Sequence, residues 1–423
     1  MKKRLGRTIT RCFGGIVSLA ILLGMFGCSG TREGEHPDGI EQFLAAHWAR
    51  PLASQGTPPV RFSALEARLD PGACGACHVS QFADWGRSLH SRAMGPGVLG
   101  QLIDMPAHAT EEHQDCLRCH APLKEQADAL VVAMTSEAAA GSRPTGNTAA
   151  QLHEQGVTCA ACHVRLYRRY GPARKDGSVP GPDARLPHDG WTSHVAFDDS
   201  RFCVTCHQFA ADGFALNGKL LENTYEEWKA SRYAREGRSC QSCHMPERRH
   251  LWRGIHDPDM VKGGVSIDAS AVRSDSGIVS TTLRIANTGT GHYFPTYVTP
   301  QVVAEAYQED ARARPLSGTR REYIIARQVA LDLSGEISDT RIPPGEKATF
   351  RYEARLHPDA QAIVLRVRVQ PDAFYTALYR SLLETGGSDK GRRQIEEALE
   401  QSLKSQYTLY AQREKLRRED VAR

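Results

Sequence analysis

One arrangement of cysteine and histidine recurs along the chain: two cysteines separated by two residues, with a histidine directly after the second. Ten of the twelve cysteines belong to this pattern. Its five copies are Cys74-Gly-Ala-Cys77-His78, Cys116-Leu-Arg-Cys119-His120, Cys159-Ala-Ala-Cys162-His163, Cys203-Val-Thr-Cys206-His207 and Cys240-Gln-Ser-Cys243-His244. Two sulfurs and an imidazole at this spacing can hold a group that needs two covalent attachments and one bond to a metal.

The chemistry that fits this spacing is the covalent attachment of haem. The two cysteines form thioethers to one porphyrin, and the adjacent histidine lies beneath the ring and binds the iron. Zinc sites also use cysteine pairs, but they do not need a histidine after every second cysteine. A thioredoxin-like redox pair would occur once. The five repeats therefore predict five covalently bound c-type haems.

Each haem iron has a sixth position, and twelve of the seventeen histidines lie outside the five motifs. The predicted distal iron ligands are His90, His194, His250, His256 and His292. His292 lies beside two glycines, which allow close backbone approach. His188, which precedes the fourth motif, is a further candidate, and so are His108, His113 and His153, which also precede motifs. Three other histidines are interpreted as solvated: His36, His47 and His357.

The N-terminal segment has the pattern of a secretion signal. A basic start is followed by an apolar run from Cys12 to Gly27, which is short for a membrane span. Its end at Gly27-Cys28-Ser29 resembles a bacterial lipoprotein signal, in which Cys28 is acylated. The alternative is an uncleaved membrane anchor. Either interpretation places the rest of the chain outside the cytoplasm, in the periplasm or on the outer cell surface.

The charge of the mature chain argues against nucleic-acid binding. The formal charge is +4, and removal of residues 1–27 with their five basic side chains would leave −1. Haem propionates would make the protein more acidic. The expected partners are redox proteins with basic faces, together with a membrane surface reached through the lipid at Cys28.

The fold class expected is a mainly α multihaem cytochrome c domain with little regular structure, plus a small antiparallel β-sandwich and a C-terminal helix. The predicted boundaries are a signal at 1–27, a lead-in at 28–72, a pentahaem domain at 73–262, a β-sandwich at 263–371 and a helical tail at 372–423. First cysteines of successive motifs are spaced by 42, 43, 44 and 37 residues. Segments of that size cannot bury a useful core alone, so the haems would supply apolar bulk.

Alternation of apolar and polar residues predicts the strands of the sandwich. The clearest cases are 265–269, 348–352 and 363–369. From about residue 372 the pattern resembles a solvated helical tail.

Several linking segments carry a family resemblance. They are the Trp85-x-x-Ser88-x-His90 segment, Gly156-Val157-Thr158, Cys203-Val-Thr-Cys206-His207-Gln208-Phe209, Asn223-Thr-Tyr-Glu-Glu-Trp228, Met245-Pro246 and the Gly291-His292 pair. The chain resembles the multihaem cytochrome c superfamily that includes the tetrahaem electron carrier of hydroxylamine oxidoreductase. That oxidoreductase and the pentahaem nitrite reductases are more distant relatives. The resemblance implies a mostly helical haem domain with paired haems, His/His ligation and electron transfer.

Two departures from these enzymes favour an electron carrier. No motif ends in lysine, as the catalytic haem motif of the nitrite reductases does, and five motifs are present where hydroxylamine oxidoreductases have eight. The alternative is a reductase acting on a small nitrogen or sulfur compound at one open iron. Tyr233 occupies the position that His90 has in a similar segment of the chain. If one iron is open to substrate, we therefore expect it at the fifth haem or a neighbouring one. A haem-bearing scaffold or sensor is a third hypothesis.

Overall fold

The computed structural model describes residues 37–106, 108–135, 149–181, 185–386 and 389–416. The predicted signal, Cys28 and His36 lie outside these residues. Within the described ranges, no helix combines the length and the apolar character needed to cross a bilayer.

Short helices joined by loops form the part of the chain that carries the motifs. The helices are α1 (Pro37–His47), α2 (Pro71–Gly75), α3 (Val79–Arg87), α4 (Pro96–Asp104), α5 (Thr110–His120), α6 (Lys124–Thr135), α7 (Cys159–His163), α8 (Arg201–His207), α9 (Thr224–Lys229), α10 (Arg232–Arg235), α11 (Cys240–His244) and α12 (Pro258–Gly264). The last four motifs lie wholly on helices. Because residues i, i+3 and i+4 share one helix face, both sulfurs and the imidazole of each of these motifs project to the same side.

Strands are short in the motif region and longer beyond it. The first five are β1 (Val164–Arg165), β2 (Arg168–Gly171), β3 (Thr192–Ser193), β4 (Ala215–Leu216) and β5 (Lys219–Leu220). The others are β6 (Val265–Ala269), β7 (Arg273–Asp275), β8 (Ile278–Asn287), β9 (Gln301–Glu309), β10 (Arg321–Ile325), β11 (Arg327–Val329), β12 (Glu336–Asp339), β13 (Lys347–Arg355), β14 (Ala362–Gln370) and β15 (Tyr407–Lys415).

Two antiparallel sheets share one hydrophobic core. One has the order β10-β9-β14-β15, and the other has the order β13-β8-β6 with β7 beside β8. Along β8, buried and more exposed positions alternate, as a half-buried strand requires. Fully buried side chains of the core include Val279, Leu283, Ile285, Val302, Ile325 and Leu365. All three strands predicted from the sequence are present.

The prediction of a helical, solvated tail over 372–423 is wrong in its last part. Two helices, α13 (Ala373–Glu384) and α14 (Arg392–Lys404), are followed by β15, which pairs with β14 in the sandwich. The strand forms because β14 offers a free edge, and Leu409 on β15 is buried in the core. Helix α14 packs on α4, so the C-terminal helices cover the motif region near the second motif.

A buried ion-pair network joins the sandwich to the motif region. Arg341 donates to Glu227 of α9 at 2.8 Å and to the Thr296 carbonyl at 2.7 Å, and it also pairs with Asp339 of β12. The side chains of Arg341 and Glu227 are each 4% exposed. Because breaking a buried pair leaves an uncompensated charge, this network fixes α9 against the sandwich.

Candidate haem-binding sites

None of the ten motif cysteines forms a disulfide in the described structure. Thiols of different motifs meet in three places. The contacting pairs are Cys74 with Cys159, Cys119 with Cys206 and Cys203 with Cys240. The first motif therefore adjoins the third, and the fourth adjoins both the second and the fifth.

Four of the five motif histidines face a second histidine from another segment. The pairs, with ring-centroid distances, are His78 with His188 (6.4 Å), His163 with His250 (6.2 Å), His207 with His90 (6.3 Å) and His244 with His292 (6.4 Å). A histidine nitrogen binds a metal at about 2 Å. Two imidazoles on opposite sides of one metal ion would therefore have centroids roughly 6 Å apart, which matches all four pairs.

Backbone carbonyls orient most of these imidazoles. The Nδ1–H groups of His120, His163 and His244 donate to the carbonyls of Ala93, Tyr170 and Arg253 at 2.6–2.8 Å. On the facing side, His188, His250 and His292 donate to Gly190, Arg248 and Tyr293 at 2.9–3.0 Å. An imidazole held through Nδ1–H directs Nε2 outward, which is the arrangement found in histidines that bind metals.

Burial favours the neutral form of three paired histidines. It lowers the pKa of His90 to about 3 and the pKa values of His163 and His207 to about 4. Neutral imidazole is the form that binds a metal ion. The residues present therefore fit a haem iron between each pair, with the cysteines of the motif holding the porphyrin edge.

Comparison with known proteins agrees with this geometry. The family described as cytochrome c554 and c-prime matches residues 73–172, which include the first three motifs. The chain aligns along 83% of its length with all of a penta-heme cytochrome c552 from Thermochromatium tepidum, at a TM-score of 0.54 and 16% identity. The motifs, the family match and the fold together support a multihaem c-type cytochrome.

Two curated relatives share part of this chain's sequence. It is 27% identical to a cytochrome c-552 of Aliarcobacter butzleri over 184 residues, which are 42% of this chain and 35% of that protein. It is 26% identical to a cytochrome c-552 of Haemophilus influenzae over 247 residues, which are 54% of this chain and 43% of that protein. This chain thus aligns with less than half the length of each relative.

Two of the predicted distal ligands have other neighbours. The ring of His194 stacks on Phe43 with centroids 3.8 Å apart, and its Nδ1 accepts from the Ala196 amide. The Nε2–H of His256 donates to Asp372, with 3.0 Å to each carboxylate oxygen. Neither ring faces a motif histidine in the ranges that the structure describes, so both stay outside the paired set.

His188 takes the place opposite the first motif. Its backbone lies in the left-handed region at φ 47°, which turns the ring toward His78. In the amino-acid sequence, His188 is marked only by its position before the fourth motif, which it shares with His194.

His47 is buried rather than solvated, and only 3% of its surface is exposed. Its Nε2–H donates to the Cys162 carbonyl at 2.8 Å, and burial lowers its pKa to about 3. The residue therefore packs beneath the third motif. The spacing of α1 relative to that motif could not reveal this contact.

Trp252 lies between two of the paired sets. Its indole ring contacts His90 with centroids 4.7 Å apart and His250 with centroids 5.0 Å apart. The distal sides of the third and fourth motifs are therefore joined by one aromatic ring.

Tyr233 has a packing role. The Tyr233 hydroxyl donates to the Thr288 carbonyl at 2.8 Å. The next motif histidine after Tyr233 is His244, and His292 faces it. The substitution of tyrosine for histidine therefore does not leave the fifth motif without a facing imidazole.

The second motif differs from the other four. His120 is oriented by Ala93 as described above, but no second imidazole faces it in the described residues. Burial raises the pKa of Tyr375 on α13, and the charges of Asp372, Glu222 and Cys116 add to this shift. A buried phenol therefore lies near the first cysteine of the second motif.

Proposed function

We propose that the chain carries electrons between redox partner proteins through five covalently bound haems c. Its location would be the periplasm or the outer cell surface, with a lipid anchor at Cys28. The four facing histidine pairs are the observation that carries this proposal. The similarity to a penta-heme cytochrome supports the count of five.

The chain's own residues would attach the haems and occupy the ligand positions of their irons. Each motif would contribute two thioethers and one iron ligand. The facing ligand would be His188 for the first motif, His250 for the third, His90 for the fourth and His292 for the fifth. A bound haem supplies an iron that accepts and releases one electron. Two imidazoles on one iron exclude substrate from it, which suits an electron carrier rather than an enzyme.

Contacts between the motifs would provide the path. The thiol contacts link the first motif to the third, and the second and fifth motifs to the fourth. Trp252 connects the third motif's facing histidine with that of the fourth. Every motif thus has a neighbour, so electrons entering at one haem could reach all the others.

Intact-mass analysis of the exported protein tests the proposal. Five haem masses are expected, and replacing both cysteines of one motif by alanine should remove one. Electron paramagnetic resonance should show low-spin iron at the four paired motifs. Absence of porphyrin mass, or zinc in its place, would overturn the proposal.

The lipid anchor needs a separate test. Cys28→Ser should move the protein from the membrane fraction to the soluble fraction without changing its haem mass. If the variant stays in membranes, the N-terminal segment acts as an uncleaved anchor instead.

A second candidate function is the reduction of a small nitrogen or sulfur compound at the second motif. The observation in its favour is that His120 faces no second imidazole in the described residues, while Tyr375 lies close enough to interact with Cys116 of the same motif. The Tyr375 hydroxyl makes no hydrogen bond to the described residues. A phenol could orient a ligand and supply a proton there.

Binding of carbon monoxide to the reduced protein, and of cyanide or hydroxylamine to the oxidised protein, separates the two functions. One ligand per chain, weakened in Tyr375→Phe but unchanged in Tyr407→Phe, would favour the second candidate. If none of the five haems bound these ligands, only the electron-carrier function would remain.

A further inference from the structure

Glu222 lies at the junction of the second and fourth motifs. It follows β5 and precedes α9, and its carbonyl accepts from the Phe209 amide at 2.9 Å. Phe209 is two residues after His207. The backbone bond therefore holds Glu222 beside the fourth motif.

Hydroxyl groups, rather than cations, surround its carboxyl group. The Thr224 hydroxyl donates to Oε1 at 2.9 Å and lies 2.8 Å from the Thr296 hydroxyl. In the described residues, no lysine, arginine or histidine forms an ion pair with Glu222. The neighbouring carboxylate of Glu227, by contrast, has Arg341 at 2.8 Å.

The charges near Glu222 are of its own sign. Burial and the Glu227 carboxylate raise its pKa, the Thr224 hydrogen bond opposes them, and the net pKa is about 8. The other groups facing it are Cys119 of α5, which a thioether would make neutral, Tyr375 of α13 and Tyr297. The carboxyl group is therefore mostly protonated at neutral pH and is evenly divided between its two forms near pH 8.

Electrostatic interaction and hydrogen bonds relate this group to haem-binding residues. Cys119 of the second motif lies close enough to act on the Glu222 carboxyl group. Thr224, which donates to Glu222, is also a hydrogen-bonding partner of Tyr297, and the Tyr297 hydroxyl oxygen is 2.9 Å from Nδ1 of His207. Glu222 is thus related to both motifs.

We propose that Glu222 is a proton-binding site coupled to electron transfer at the second and fourth motifs. This inference rests on the proposed haem attachment there. Glu222 would take one proton from water when a donor protein, or a chemical reductant such as dithionite, delivers one electron to the neighbouring iron. It would release that proton when the electron leaves.

The direction of the coupling follows from Coulomb's law. An oxidised iron carries one more positive charge than a reduced one, so it favours the carboxylate, and reduction favours the carboxylic acid. By linkage, a proton on Glu222 favours the reduced iron to the same extent. Low pH therefore favours reduction.

Spectroelectrochemical titration of the purified holoprotein at several pH values between about 6 and 9 tests the inference. In the wild type, at least one midpoint potential should fall as pH rises, with a limit of about 59 mV per pH unit for one proton and one electron. Glu222→Gln should flatten this dependence. Glu226→Gln, an exposed neighbour on α9, is the matched control and should retain it.

A second readout is the infrared difference spectrum between reduced and oxidised protein. A protonated carboxyl band should appear on reduction, vanish in Glu222→Gln and persist in Glu226→Gln. The inference about Glu222 would be overturned, with haem attachment intact, if the wild type carried five haem masses but its midpoint potentials did not depend on pH. It would also be overturned if Glu222→Gln kept the wild-type pH dependence of the midpoint potentials. Missing haem mass at the second or fourth motif would overturn the proposed haem attachment as well.

Discussion

The imidazole rings of His90 and His207 face each other with their centroids 6.3 Å apart. His90 follows the first motif, whereas His207 belongs to the fourth. The His90 carbonyl accepts from the Val157 amide at 2.8 Å, just before the third motif. One candidate haem site is therefore built by three separate segments, so the motif region must fold as one unit.

Replacing a facing histidine should open one iron. His90→Ala should convert one haem from six-coordinate low-spin to high-spin, because its second imidazole is lost. The same single conversion is expected for alanine variants of His188, His250 and His292. Electron paramagnetic resonance and carbon monoxide binding measure the change.

Alanine variants of two histidines outside the facing pairs provide the controls. His357 lies beyond β13, and His256 is bound to Asp372, so neither variant should alter the number of low-spin haems. Loss of a low-spin signal in His256→Ala, or its retention in His90→Ala, would contradict the assignment of facing ligands.

Short sequence patterns predicted the elements whose structure is determined by neighbouring residues in the sequence. The five motifs and strands such as β14 were readable because a fixed spacing or an alternation of apolar residues specifies each one. The edge strand β15 was missed, since its charged positions resemble a solvated helix and only pairing with β14 makes it a strand. That pairing depends on residues far away in the sequence.

The facing histidines could be predicted only in part, for the same reason. His90, His250 and His292 were chosen because of their neighbours in sequence, and the structure places them opposite motif histidines. His188 and His194 lie in one short segment, and only the turn at His188 and the stacking of His194 on Phe43 distinguish them. Sequence spacing does not contain that difference.

Gly156 should be intolerant of a side chain. Its φ is +62°, and an added Cβ would lie 2.3 Å from the His90 carbonyl oxygen. Gly156→Ala should therefore displace His90 and raise the high-spin fraction, besides the roughly 1–2 kcal/mol cost of a left-handed backbone.

Gly218→Ala is the matched control for this variant. Gly218 has φ +71°, and nothing lies within 4 Å of an added Cβ. It should therefore show the backbone cost in its melting temperature but an unchanged spectrum. Equal spectra for both variants would argue that the Gly156 contact does not position His90.

Asp84 should position His250. Its carboxylate accepts two bonds from Arg249 at 2.6 Å and one from the His250 amide at 3.1 Å. Asp84→Asn should raise the high-spin fraction of one haem by loosening the His250 backbone. Asp268→Asn, which removes an exposed pair with Arg284, should leave the spectrum unchanged.

The same carboxylate predicts a dependence on pH. The Arg249 hydrogen bonds hold the pKa of Asp84 below its usual value, although burial opposes them. A lowered folded-state pKa contributes stability above the unfolded value of about 3.9, and this contribution is lost as pH falls below it. High-spin iron should therefore appear on acidification earlier than global unfolding, and Asp84→Asn should remove that early phase.

Asp339 should make the sandwich sensitive to acid. Burial would raise its pKa, but hydrogen bonds from Arg341 and Lys219 outweigh burial and lower it. The unfolded chain therefore binds a proton here at higher pH than the folded chain, so stability falls as pH decreases through about 4. Glu227 acts in the opposite direction, because burial raises its pKa and its protonation favours the folded state.

Substitution of Asp339 isolates this contribution. Asp339→Asn should lower the free energy of unfolding at pH 7 by about 1–3 kcal/mol, since Arg341 and Lys219 lose a charged acceptor. It should also flatten the dependence of that free energy on pH below about 4. Denaturant unfolding followed by circular dichroism measures both, with the exposed Asp359→Asn as control. An unchanged slope in Asp339→Asn would mean that another carboxylate governs acid unfolding.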